Sequence, residues 1–338
     1  MESFSPDPVA LLEREDEGFS SMLQDIASFP RSSKSTPTVT ALQTTLRFPI
    51  TCAGVGLHTG RNITLRIEPA PASTGVVFHR IDIAGTPIPA RYDHVVETRL
   101  STVIGSKDDH RNRVATIEHL MAALSGKGID NARIFLDGPE VPVLDGSSAD
   151  FLFLLDCAGR VKLEQPRREI EILKPVRVQE GSVFAELLPN ARNELSLSMT
   201  IDFPARAIGR QSLGITLDEA AFRKEVSFCR TFTNRQEIDA LRAAGLALGG
   251  SLENAIVVDE EKVLNPTGLR ARDEFVRHKL LDAVGDLFLV GAHLRGRFVG
   301  HKSGHHLNNM LLRTLMADIS AWRELPPASG IASSRQAA

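Results

Sequence analysis

A chain of 338 residues is longer than one ordinary core requires and suits two domains of about 130 to 160 residues each. With 42% hydrophobic and 24% charged residues it reads as globular, and no apolar run reaches the roughly 18 residues of a membrane span, which excludes stable membrane insertion. A net charge of -3 provides no general basic field, so nucleic acid is excluded as a partner and any phosphate-bearing ligand needs a local cluster of Lys or Arg.

Residues 1–40 carry seven acids against three bases and lack the basic flank and apolar stretch of a signal peptide, which predicts a poorly ordered N-terminal extension and a cytoplasmic protein. Alternation then predicts a strand over 61–68, with Ile63, Leu65 and Ile67 on one face. A helix follows over 114–124, a strand over 131–136 and a helix over 149–159. Charge and a Pro interrupt the pattern at 163–168, which closes a first α+β domain at 41–165. The second, 166–325, opens with strands over 168–173, 183–187 and 195–201. Helices are expected over 218–226 and 234–244, the latter stopped by Gly245, then a strand over 255–258. A long helix over 272–292 and a last one over 304–323 complete the domain, and 326–338 form a disordered tail. Cys52, Cys157 and Cys229 lie far apart with no CxxC pairing, as expected of reduced residues rather than a disulfide framework or thiolate metal site.

The long helix carries the most informative pattern, Glu274-Phe-Val-Arg-His278-Lys279-Leu-Leu-Asp282-Ala-Val-Gly-Asp286. At about 100° per residue, His278 and Asp282 lie about 40° apart on one face, so an imidazole and a carboxylate can converge on one ion. A solvated polar face is the alternative, but Phe275, Leu281, Gly285 and Leu289 make these residues an island on a largely apolar helix, and buried charge needs a partner. Thr116-Ile-Glu118-His119 reads either as an ordinary Thr N-cap with a first-turn acid or as a ligand beside a base, since adjacent helical residues diverge by about 100°. Gly300-His301-Lys302-Ser303-Gly304-His305-His306-Leu-Asn308-Asn309 is a Gly-punctuated turn into a helix, whose histidines could equally be surface residues. Gly54-Val-Gly56-Leu-His58-Thr59-Gly60 lacks the ending of a phosphate loop and reads as a turn.

Taken together with Asp130-Asn131, Pro139-Glu-Val-Pro-Val-Leu-Asp145, Arg230-Thr231-Phe232 and Gly249-Gly250-Ser251, these segments have the order and spacing of the UDP-3-O-acyl-N-acetylglucosamine deacetylase family, which the chain resembles over about residues 42–322. The resemblance implies an α+β fold of two layered sheet-and-helix domains, with helices between two sheets and the active site at their junction. It also implies one catalytic zinc per chain, with His119, His278 and Asp282 as its ligands. Glu118 matches the general base, His305 the general acid, Asp286 the carboxylate that pairs with it, and Thr231 the hydroxyl that stabilises an oxyanion. Lys279, Phe232, His58 and Lys302 match substrate-binding residues, and the helical segment after Phe232 matches the wall of a fatty-acyl passage. The reaction implied is zinc-dependent hydrolysis of the N-acetyl group of UDP-3-O-(3-hydroxyacyl)-N-acetylglucosamine in lipid A biosynthesis. The alternatives are a zinc amidohydrolase acting on another N-acetylated sugar, or an inactive metal-binding relative, against which the presence of Glu118 and His305 counts.

Overall fold

Alternating burial along the chain builds the first sheet of the computed structural model, which describes residues 41–325; the extension and the tail expected at 1–40 and 326–338 lie outside the described residues. Strands β1 (Ile50–Val55), β2 (Asn62–Pro69), β3 (Val76–Arg80), β4 (Ile88–Pro89) and β5 (Ala132–Leu136) are ordered β1-β2-β5-β3-β4. Ile63, Leu65 and Ile67 are buried while their neighbours face outward, the pattern of a sheet with one solvated face. With Phe78 and Ile134 they share a core with Leu120, Met121 and Leu124 of helix α1 (Glu118–Lys127) and Leu155 of α2 (Ala149–Ala158).

The second sheet has seven strands: β6 (Glu169–Ile172), β7 (Val176–Glu180), β8 (Val183–Leu188), β9 (Leu195–Asp202), β10 (Arg210–Thr216), β11 (His293–His301) and β12 (Trp322–Glu324). Its hub is β11, antiparallel to β8 and parallel to both β6 and β9. The helices of this half are α3 (Glu219–Ala221), which runs into one π turn over Phe222–Val226, then α4 (Arg235–Ala243), α5 (Glu274–Phe288) and α6 (His305–Ala317).

Helix α5 is buried on nearly all sides, with only Arg277 and Lys279 part-exposed, so the solvated-face alternative fails and His278, Asp282 and Asp286 enter the interior. It meets α1 at Gly285, where a Cβ would lie 2.1 Å from the carbonyl oxygen of Glu118. Only glycine allows the two backbones this close.

Several boundaries differ from expectation. The helix expected from 114 starts at Glu118, because Val114 is held in a short strand against Ile104 and Thr116 adopts a φ of 57°. Helix α5 stops at Phe288, ahead of Gly291 at φ 78°. The last helix stops at Ala317, and Trp322–Glu324 instead forms β12, antiparallel to β6. Strand β11 was not expected at all. The interruption read at 163–168 falls partly within a strand, since Arg160–Pro166 pairs with Leu42–Leu46. The segment read as a turn from Gly54 belongs to β1 as far as Val55, with Gly56 bridging Pro142.

Candidate metal centre and active site

Two helices supply the centre. From α1 comes His119, whose Nε2 lies 3.6 Å from Asp282 Oδ1; from α5 comes His278, whose Nε2 lies 3.3 Å from the same oxygen. The two imidazoles stand edge to face, 4.9 Å between centroids at 81°. One ligand atom from each of the three side chains falls within 4.8 Å of the others, and all three residues are buried.

Each group is set for ligation by its surroundings. His278 Nδ1 lies 2.9 Å from the Cys229 carbonyl oxygen. A carbonyl can only accept, so the ring proton sits on Nδ1 and the Nε2 lone pair faces the cluster. Burial lowers the His278 pKa to about 4, against an opposing pull from Asp282, which leaves the ring neutral. Burial alone would raise the Asp282 carboxyl, but the neighbouring His278 and Lys279 outweigh it and hold the group well below the usual carboxylate range. Lys279 Nζ takes Oδ2 at 2.7 Å, while Oδ1 is buried with no hydrogen-bond partner among the described residues. A buried anionic oxygen without a donor is costly unless a cation is there to meet it. Two imidazoles and this oxygen are a donor set suited to a catalytic metal that keeps one position open, and the residues fit such an ion.

Beside the cluster lies an acid–base pair. His305 Nδ1 is 2.9 Å from Asp286 Oδ2, and its Nε2 points towards Glu118 Oε1 at 3.8 Å. Burial works against the imidazolium, but the charges of Asp286 and Glu118 prevail and raise the His305 pKa to about 9. Glu118 is buried, and desolvation raises its pKa as well, which for a carboxyl favours the neutral form, although His305 and His119 oppose the shift. Thr116 is not the N-cap that the sequence suggested. Its hydroxyl donates to Glu140 Oε1 at 2.9 Å, and the N-cap position is taken by Ile117, with no side-chain cap.

A cavity of about 340 Å³ opens on this set and is also lined by Thr231, Phe232 and Lys279. Thr231 is fixed by its backbone, N–H to Gly146 O and carbonyl to Ile256 N, each at 2.8 Å. The Phe232 ring stands edge-on to Phe275, and Lys279 Nζ lies 6.0 Å from its centroid. A second cavity of about 430 Å³ shares Leu57, Leu100, Thr231 and Phe232 with the first and continues among Ile238, Leu241, Leu252 and Leu264. His58 lines this second cavity rather than the first; burial lowers its pKa despite Glu140, and both ring nitrogens lack partners among the described residues. Lys302 lines neither cavity, and its ammonium is 2.8 Å from Asp202.

Sequence reasoning missed several supporting residues. Glu140, wholly buried, receives the backbone N–H groups of His58 and Thr59 and the hydroxyls of Thr59 and Thr116. Glu274 receives Arg230 Nε at 2.9 Å and its N–H at 3.0 Å, a buried pair that anchors the segment carrying Cys229 and Thr231. Thr102 and Asn308 both donate to Asp286. Glu140 and Arg230 stand in motifs already singled out, and an acid between two prolines is a signal that could have found the first.

The family of UDP-3-O-acyl N-acetylglycosamine deacetylases matches residues 43–317. A UDP-3-O-acyl-N-acetylglucosamine deacetylase of Acidithiobacillus ferrooxidans is 50% identical over 281 residues, covering 83% of this chain and 91% of the relative. One of Phenylobacterium zucineum is 50% identical over 283 residues, covering 83% and 95%, and one of Pseudomonas entomophila is 47% identical over 281, covering 83% and 92%.

Proposed function

Since the chain belongs to the UDP-3-O-acyl N-acetylglycosamine deacetylase family and so hydrolyses the N-acetyl group of UDP-3-O-acyl-N-acetylglucosamine in lipid A biosynthesis, we propose that it does this with one zinc per chain held by His119, His278 and Asp282. The observation that carries the reading is the buried, unpartnered Oδ1 of Asp282 facing two imidazole nitrogens. When bound, zinc supplies a Lewis acid that acidifies water and polarises the amide carbonyl.

The chain's own residues do the rest. Glu118, its pKa raised by burial, takes the proton of the attacking water; a base closer to neutrality is better matched to that task. The Thr231 hydroxyl, on the cavity wall, donates to the oxyanion of the tetrahedral intermediate. Collapse needs a proton on the departing amine, and His305, kept charged by Asp286, delivers it from Nε2. Lys279 and Phe232 border the sugar, and the second cavity, with His58 at its wall, takes the acyl chain. Lys302, paired with Asp202, is left out of this set. The substrate is a nucleoside diphosphate sugar, which favours the cytoplasm as the place of action. Residues 41–165 and 166–325 are taken as two domains, because every described ladder lies wholly on one side of that boundary except for the pair of Leu42 with Pro166.

The test is mass spectrometry and kinetics of zinc-loaded protein with UDP-3-O-acyl-N-acetylglucosamine and with UDP-N-acetylglucosamine. We expect loss of acetyl with much higher kcat/KM for the acylated substrate, since remote binding energy can position the amide. Equal efficiency would favour a general amidohydrolase of N-acetylated sugars, and His278→Ala with full zinc occupancy would remove this centre.

A further inference from the structure

Thr102 is 1% exposed and directly precedes the short strand Val103–Gly105. Its three polar groups all reach the active-site helices. The backbone N–H donates to Glu118 Oε2 at 3.0 Å, the carbonyl accepts from Ile117 N at the start of α1, and the hydroxyl donates to Asp286 Oδ1 at 2.6 Å. A carboxylate can only accept, so the single hydroxyl proton is committed to Asp286. The other oxygen of Asp286 receives His305 Nδ1 and Asn308 Nδ2, each at 2.9 Å.

We propose that Thr102 is a positioning residue, holding in fixed register the carboxylate that serves as base and the carboxylate that orients the acid. The inference rests on the general-acid reading of His305 given above. With donors on both oxygens, Asp286 cannot rotate about its Cβ–Cγ bond. Without the Thr102 hydroxyl, Oδ1 is released, and the carboxylate is free to turn away from the His305 ring. The other charged groups facing the pair are Glu118 from α1 and Lys279 and Asp282 from α5, and none of them donates to Asp286 Oδ1 among the described residues. An Asp that wanders supports the imidazolium less and delivers its proton from a less defined place.

The experiment compares Thr102→Val, which keeps shape and the backbone N–H, with Thr102→Ser, which keeps the hydroxyl, and with Asp286→Asn, all as full-length zinc-loaded protein. Thr102→Val should lower kcat on the order of 10-fold to 100-fold, the worth of one hydrogen bond to a charged group, with KM changed little. Its zinc content should match the parent, and the basic limb of kcat/KM against pH should move to lower pH. Thr102→Ser should restore both kcat and the limb. A limb that stays in place or moves to higher pH in Thr102→Val, or a Ser variant as impaired as the Val variant, would overturn the proposal. If Thr102→Val does not fold, Thr102→Ala takes its place under the same expectations. Should Asp286→Asn leave the limb unmoved, the general-acid reading has failed; should it move the limb while Thr102→Val does not, only the present inference has.

Discussion

Replacing Gly285 by alanine should push the two active-site helices apart. The added Cβ would lie 2.1 Å from the carbonyl oxygen of Glu118 and 3.1 Å from the amide nitrogen of Ala122, where ordinary contact begins at 3.4 Å. Because both are backbone atoms, no side chain can swing aside, and α1 must retreat from α5 by somewhat more than 1 Å, or about the shortfall itself. Two opposing terms set the stability. Alanine in a helix interior gains about 1 kcal/mol over glycine, whereas overpacking costs about 1 to 3 kcal/mol and here falls at the upper end, so a net loss of about 2 kcal/mol is expected. Function should suffer more than stability. His119 and Glu118 ride on α1 while His278 and Asp282 ride on α5, so the 3.6 Å approach of His119 to Asp282 lengthens with the helices. A misplacement of about 1 Å at reacting groups costs on the order of 10²-fold in rate. The assay is zinc affinity and kcat/KM beside urea denaturation, with Gly214→Ala as control, since a Cβ there has nothing closer than 3.4 Å. Gly285→Ala with parental zinc affinity and kcat/KM within about threefold would refute the argument that this contact sets the site's geometry.

Metal-free protein should show a distinct pH dependence of stability. The His305 pKa is raised from 6.5 to about 9, so its pairing with Asp286 and Glu118 stabilises fully below 6.5, and the contribution is lost as pH rises through about 9. The stability gap between the parent and Asp286→Asn, read by thermal unfolding, should narrow over that window; a gap that widens would contradict the assignment. Glu274→Leu leaves the buried Arg230 guanidinium without its carboxylate and should cost about 3 to 5 kcal/mol in urea denaturation. Zinc affinity should fall with it, since the anchored segment carries the Cys229 carbonyl that holds His278, and a loss below about 1 kcal/mol would mean that solvent or a neighbour replaces the carboxylate.

The proposed metal ligands were readable in the sequence because a single helix carries two of them at one-turn spacing, among residues too apolar to be a solvated face. His119 was visible only as half of an ambiguous Glu-His pair, since what brings it to Asp282 is the α1–α5 contact at Gly285, and nothing local announces a glycine as a point of close approach. Strand β11 escaped because two of its four buried positions are glycines, Gly296 and Gly300, so the apolar alternation has gaps where Leu294 and Phe298 alone stand out. Those glycines are small because Ile172 and Met199 occupy the space that their side chains would need. Thr102 was beyond reach for another reason. Its role exists only in bonds to segments up to 184 residues away, which no local pattern encodes.

The place of β11 at the hub also dictates an order of assembly. The hairpins β7–β8 and β9–β10 are local and can form as soon as they are made, but no ladder joins them to each other or to β6 until residues 293–301 arrive to pair with all three. During synthesis this half therefore emerges as separate pieces with open edges, exposed to wrong partners until nearly the end of the chain. Such long-range closure is slow, because the loop entropy is lost before the pairing compensates it. The strand that closes the sheet also runs, within four residues, into His305, so the residue proposed as proton donor takes its position only once the sheet is complete.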